Sequence, residues 1–183
     1  NNEHVSYRYP LWEDLLEAGY EFDFIGSMNT NFSGSPTYPN PAFDRDHEGH
    51  WGWRVDEINA QMGGWLAGYT PDVVLMHLGT NDAFQGQSTD STIDELTTLI
   101  GMLRADNERV VILLAKVIPS TQSQNNLDAL NGRFDALAAN QPIQLTGSTS
   151  DGYGTAVVGE ADQATTDPTA TPDPTAMDAV VPD

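Results

Sequence analysis

Pro71 to Phe84 reads PDVVLMHLGTNDAF, and this stretch decides the fold. Its apolar run, Val73-Val74-Leu75-Met76, predicts a strand buried on both faces. The run ends in Gly79-Thr80-Asn81-Asp82, a sharp polar turn at the strand's carboxyl end. In open α/β sheets, ligands bind at that end. An Asn and an Asp there serve either to cap the next helix or to build a catalytic loop. The residues of the turn leave both readings open.

Outward from this strand the chain alternates helical and strand patterns. Upstream, Pro10 suits a first helical turn; Leu11, Trp12, Leu15 and Leu16 recur at helical spacing, and Gly19 fits the position past the helix end. Glu21 to Ile25 alternate as a short strand. A loop rich in Asn, Ser, Gly and Pro follows, running to about His50, and loops of that length are usually functional or mobile. Val55, Ile58, Met62, Trp65 and Leu66 mark a helix.

Downstream, Ser91 or Thr92 is placed to cap a helix with Glu95 completing a capping box, and Ile93, Leu96, Leu99, Ile100 and Leu103 give its apolar stripe. Arg109 to Ala115 reads as a second buried strand. Leu127, Leu130, Phe134 and Leu137 predict a helix over 126–139. Thr155 to Val158 is a further short strand, and TTDPTATPDPTA (165–176) has no apolar period. The order predicts an α/β fold, a three-layer αβα sandwich on a central parallel sheet. One domain spans residues 1–160, and 161–183 form a Thr/Pro/Asp-rich low-complexity tail.

Composition bounds the partners. The 183 residues carry 27 acidic against 7 basic groups, a formal net charge of −20, and Lys116 is the only Lys. Phosphate contacts need Lys and Arg, so nucleic acid is excluded as a partner, and an anionic membrane surface with it. No apolar run is long enough to span a membrane. There are no cysteines, hence neither disulfides nor thiolate metal sites. Such acidity fits a secreted, extracellular protein or one adapted to high salt, where a Debye length of roughly 3 Å at 1 M removes the self-repulsion. The salt-adapted reading is slightly favoured.

Three blocks, in order, carry a resemblance: YRYPLWEDLLEAGYEFDFIGS (Tyr7 to Ser27), DHEGHWGWRVDEI (Asp46 to Ile58) and PDVVLMHLGTND. Together they resemble the SGNH (GDSL-like) hydrolases, and within them the acetyl-xylan esterases of carbohydrate esterase family 3, over roughly residues 7–140. The resemblance implies a flavodoxin-like sheet and ester hydrolysis on an acetylated polysaccharide or small ester. It implies that the Asn81 amide and the Gly52 backbone N–H hold the oxyanion. It gives the HEGH histidines a structural or substrate-side role; the aromatic faces of Trp51 and Trp53 suit sugar rings or wedge the loop onto the core, and with His50 and Asp82 they are the substrate-side candidates. It calls for neither a cofactor nor a metal.

The family's nucleophile is the Ser of a GDS motif on a first strand just upstream of the YRYPLW helix. This chain begins NNEHVS, with no GDS and no room for that strand, and no His follows His77 to supply the family's C-terminal DxxH. Asp183 is the candidate for that Asp. Two readings follow: an esterase whose ends have been lost, or a non-catalytic carbohydrate-binding or structural relative. The β-strand left without its neighbour is expected to expose an unpaired edge. Ser27 and Ser6 are poor substitute nucleophiles. Asp44, Asp46, His47, Glu48 and His50 lie close in sequence, but their spacing matches no metal-binding loop. His77, on the strand, reads as a core histidine.

Overall fold

The computed structural model describes residues 7–31, 37–140, 144–146 and 156–157, the last two stretches as backbone. The tail 161–183, Ser6 and Asp183 lie outside the described residues. The elements are α1 (Arg8–Glu17), α2 (Val55–Leu66), β1 (Val73–Met76), α3 (Thr80–Phe84), α4 (Thr89–Asp106), β2 (Val111–Ala115), α5 (Gln124–Asn140), β3 (Gln144–Thr146) and β4 (Ala156–Val157). The sheet order is β1-β2-β3-β4; the first three strands are parallel and β4 runs antiparallel to β3. This is the α/β sandwich of the expected class. No helix among the described residues is long and apolar enough to cross a membrane.

One face of the sheet is built as predicted. Met76, Ile112 and Leu114 point into a core shared with Val55 and Ile58 of α2, Ile93, Leu96, Leu99, Ile100 and Leu103 of α4, and Leu127, Leu130 and Phe134 of α5. The helical spacings read from the sequence therefore mark the buried faces of α4 and α5. The other face differs from expectation. Val73 and Leu75 on β1 and Val111 on β2 are exposed, at 44%, 42% and 42%. Val73 pairs with Val111 and Leu75 with Leu113, so the exposed side chains share one side of the pleat. β1 is thus buried on one face only, because among the described residues no helix covers the second. His77 continues this exposed row rather than entering the core. β1 also ends the strand order, leaving its outer edge without a partner among the described residues.

α1 belongs to a second, aromatic cluster. Tyr9 and Trp12 pack with Tyr38 and Phe43, and Phe22 and Phe24 lie against them. Tyr9 stacks on Tyr38 at 5.1 Å and meets Phe43 edge-on at 5.1 Å. The strand expected over 21–25 does not form. The Phe24 N–H donates to the Asp44 carboxylate (2.7 Å) instead of to a neighbouring strand. The nearest β contact is the isolated bridge between Met28 and His47. The left-handed Gly19 after α1 (φ 82°) is as expected.

α4 begins earlier than its sequence pattern suggests. Ser88, not Ser91 or Thr92, is the N-cap, and its hydroxyl accepts from the Ser91 N–H at 3.1 Å. Glu95 accepts from the side chains of Ser91 and Gln87 rather than closing a box on the cap. Ser88→Ala is expected to lower stability by about 1 kcal/mol, the usual worth of such a cap. Urea unfolding checks this, and an unchanged midpoint would return the cap to Ser91.

Candidate active site

Two loops meet at the carboxyl end of β1. The first carries His50 to Arg54. Its turn requires Gly52 in the left-handed region (φ 83°), where a side chain is strained. No backbone carbonyl among the described residues takes the Gly52 N–H. The second is the GTND turn, which proves to be the start of a short helix: Gly79, also left-handed (φ 103°), precedes α3. The Asn81 Nδ2 donates to the Trp53 carbonyl at 2.9 Å and is half-buried. One N–H of that amide is spent on orienting the group, and the other remains to donate. The loops are joined again four residues on. Gln85 Nε2 donates to the Gly52 carbonyl at 3.2 Å, and its Oε1 accepts from Arg54 Nη1 at 2.7 Å.

The remaining sequence-predicted residues divide. Trp51 is 70% exposed beside Gly52. Trp53 and His50 are half-buried in a stack: His50 lies 4.4 Å from Trp53 and 4.8 Å from Trp65 of α2, nearly parallel to both. Their aromatic faces are used in fixing the loop to α2.

Asp82 does not stand on the substrate side. It is fully buried, and its Oδ1 accepts from the Val55 N–H (3.2 Å) at the first turn of α2. A short acidic side chain after Asn81 thus caps another helix from a distance. Burial raises its pKa; the Val55 N–H opposes that, and the charges of Glu95 and Asp56 add to it.

The HEGH loop is organised by Glu48. Its carboxylate accepts from the Ser27 N–H, from Ser27 Oγ (3.1 Å) and from His50 Nε2 (2.8 Å). Burial pushes the Glu48 pKa up, but the donors, His50 first, outweigh it and hold the pKa below the ordinary value. His47 is held by the Thr30 carbonyl (3.0 Å) and the Gly49 N–H (2.9 Å); burial, then the Arg8 charge, lowers its pKa. Ser27 therefore faces a carboxylate, not an imidazole. Among the described residues no Ser hydroxyl hydrogen-bonds a His, and no three His, Asp or Glu side chains converge as metal ligands.

Sequence reasoning missed Gln85 and Arg54. The available signal was the spacing: Asn81 and Gln85 are four apart, which places both amides on one side of a helix. Reading GTND as a plain turn hid it.

A left-handed Gly and an oriented Asn amide thus stand side by side at the carboxyl end of a parallel sheet, the arrangement expected of oxyanion donors in an SGNH-type hydrolase. The sequence matches the GDSL-like lipase/acylhydrolase family over residues 5–172, and the chain belongs to that family. Among solved structures it is similar to a carbohydrate esterase family 3 protein from Talaromyces cellulolyticus, with 30% identity, a TM-score of 0.70, and 83% of this chain and 82% of that one covered. The same figures hold for an acetyl esterase mutant with acetate ion. A family 3 carbohydrate esterase from Clostridium thermocellum is 29% identical at a TM-score of 0.61, with 78% of this chain and 67% of that one covered. No curated protein matches the chain.

Proposed function

We propose that this chain holds the oxyanion corner of a serine esterase that removes acetyl groups from carbohydrate, in the manner of an acetyl-xylan esterase. The observation that carries the reading is the Asn81 amide seated on the Trp53 carbonyl beside the left-handed Gly52. The likeness to carbohydrate esterase family 3, and to an acetyl esterase with acetate ion, supports the acyl group and the substrate class.

In such a reaction a Ser oxygen attacks the acetyl carbonyl, its proton passing to a base. The carbonyl oxygen becomes an oxyanion, accepting from the Gly52 N–H and the free Asn81 N–H. The sugar alcohol leaves with the proton, and water then attacks the acetyl-Ser to release acetate. The described residues contain the donors but no Ser–His pair. A second reading, a carbohydrate-binding relative without turnover, draws on that same feature.

Two measurements test the proposal. In the isotope-labelled chain, acetate is expected to shift the Gly52 amide and the Asn81 side-chain resonances together. Asn81→Ala is expected to weaken acetate about tenfold, since a hydrogen bond to a charged group contributes about 1.5 kcal/mol or more. Acetate that perturbs neither group overturns the oxyanion assignment. Treatment with an alkyl fluorophosphonate, with p-nitrophenyl acetate turnover recorded alongside, is expected to give no adduct and background rates. An adduct on one Ser would place a working nucleophile within these residues. The acidic balance supports secretion into a salty medium, and the unfolding midpoint is then expected to rise between low and molar KCl; a flat response counts against it.

A further inference from the structure

We propose that Gln85 is a positioning residue for the oxyanion donor at Gly52, braced in turn by Arg54 and Asp56. This rests on the reading of the Gly52 N–H as that donor.

A backbone N–H stabilises an oxyanion only if it is aimed before the charge develops. Gly52 is poorly placed to aim itself. It lacks a side chain, it occupies the left-handed region, and nothing lies within 4 Å of where a Cβ would stand. No side chain packs at that position, although the rings of His50 and Trp53 on either side fix the loop to α2. The backbone bond that closes the turn, Trp53 N–H to the His50 carbonyl, is long at 3.4 Å.

Beside that ring stack, a pair of amides holds the backbone of the turn. Asn81 grips the Trp53 carbonyl and Gln85 grips the Gly52 carbonyl, so the two peptide groups that follow the Gly52 N–H are held from one side by residues four apart, and Gln85 acts on that donor across the Gly52 Cα. Gln85 is itself held. Its Oε1 takes the Arg54 Nη1 proton, and Arg54 is fixed by a bidentate contact to Asp56, Nε to Oδ1 at 3.0 Å and Nη2 to Oδ2 at 2.9 Å. The Arg54 interaction leaves the Gln85 amide only one orientation, with its NH₂ toward Gly52. The order of command is Asp56, Arg54, Gln85, Gly52. All three side chains line an open polar cleft of about 450 Å³, and none is needed for the main apolar core.

The test uses the full 183-residue chain, isotope-labelled, with acetate as the probe. Gln85→Met keeps the length and neutrality of the side chain and removes both hydrogen bonds. It is expected to move the Gly52 carbonyl resonance, to broaden or shift its φ-dependent couplings, and to weaken acetate about three- to tenfold, the effect of one lost hydrogen bond. Gln87→Met, in the same cleft but bonded to Ser91 and Glu95 rather than to Gly52, is expected to leave all three unchanged. Gln85→Glu, which retains the acceptor for Arg54 but cannot donate, is expected to reproduce the carbonyl shift. A Gly52 carbonyl and acetate affinity indifferent to Gln85→Met overturn the proposal, as does an equal effect from Gln87→Met. If wild-type protein ignores acetate while Gln85→Met still moves the Gly52 carbonyl, the oxyanion reading is what has failed and Gln85 is structural only.

Discussion

Gly79→Ala is expected to lower the unfolding free energy by about 2–5 kcal/mol. The backbone there sits at φ 103°, where an L-residue loses roughly 1–2 kcal/mol. The added methyl would stand 2.5 Å from Leu130 Cδ2, and Leu130 is only 2% exposed, packed in α5 against the main core. Forcing atoms into a packed core costs a further 1–3 kcal/mol or so. Because Gly79 is the joint between β1 and α3, the strain also reaches Asn81, whose contact with the Trp53 carbonyl is expected to lengthen. Denaturant unfolding gives the first quantity, and the Asn81 side-chain resonances give the second. A variant within 0.5 kcal/mol of wild type, on the ~1 kcal/mol scale of ordinary substitutions, would mean that Leu130 gives way freely.

Asp82 is expected to separate two effects that a single substitution would confuse. Asp82→Ala removes the acceptor from a buried N–H and should lower stability by about 1–3 kcal/mol. Asp82→Asn keeps an oxygen for Val55 and removes the buried charge. Burial raises the folded pKa of Asp82 above its unfolded value. Its favourable contribution is therefore complete below the unfolded carboxyl range, and is lost as pH rises through the raised folded pKa. Stability of Asp82→Asn relative to wild type should accordingly increase from acid toward neutral pH. Unfolding curves for both variants across that window decide the matter. If Asp82→Asn falls behind wild type as pH rises, the carboxylate is better stabilised in the fold than its backbone N–H partners imply.

The parts of this fold that were legible in the sequence are those with a built-in ruler. The apolar spacing over 93–103 and 127–137 maps onto the buried faces of α4 and α5, because a helix needs only its own period to declare its inner side. That the HWGW and GTND blocks come together was implied only by the family resemblance, not by their own pattern. What failed were statements about neighbours. Val73 and Leu75 are as apolar as Met76, yet only Met76 is buried, since composition does not say whether a second layer covers a strand. The aromatic alternation over 21–25 suits a strand, but among the described residues no ladder partner lies beside it. Asp82 looked available next to Asn81, and only the approach of α2 reveals that Val55 claims it. Gln85 carries no motif at all.

Among the described residues the two apolar clusters differ in size, and they are expected to open as units of unequal strength. The larger draws on α2, α4, α5 and the sheet, whereas the smaller gathers α1 and the loop around Phe43 from four buried aromatic side chains. Local opening is expected to follow the smaller unit, so amide hydrogens of α1 should exchange ahead of those in α4 and β2. Tryptophan emission tracks the difference, because Trp12 belongs to the smaller unit while Trp53 and Trp65 lie against the larger. Melting followed through Trp12 is therefore expected to precede the loss of the sheet, and a Trp12 signal that melts together with those of Trp53 and Trp65 would show one cooperative unit instead.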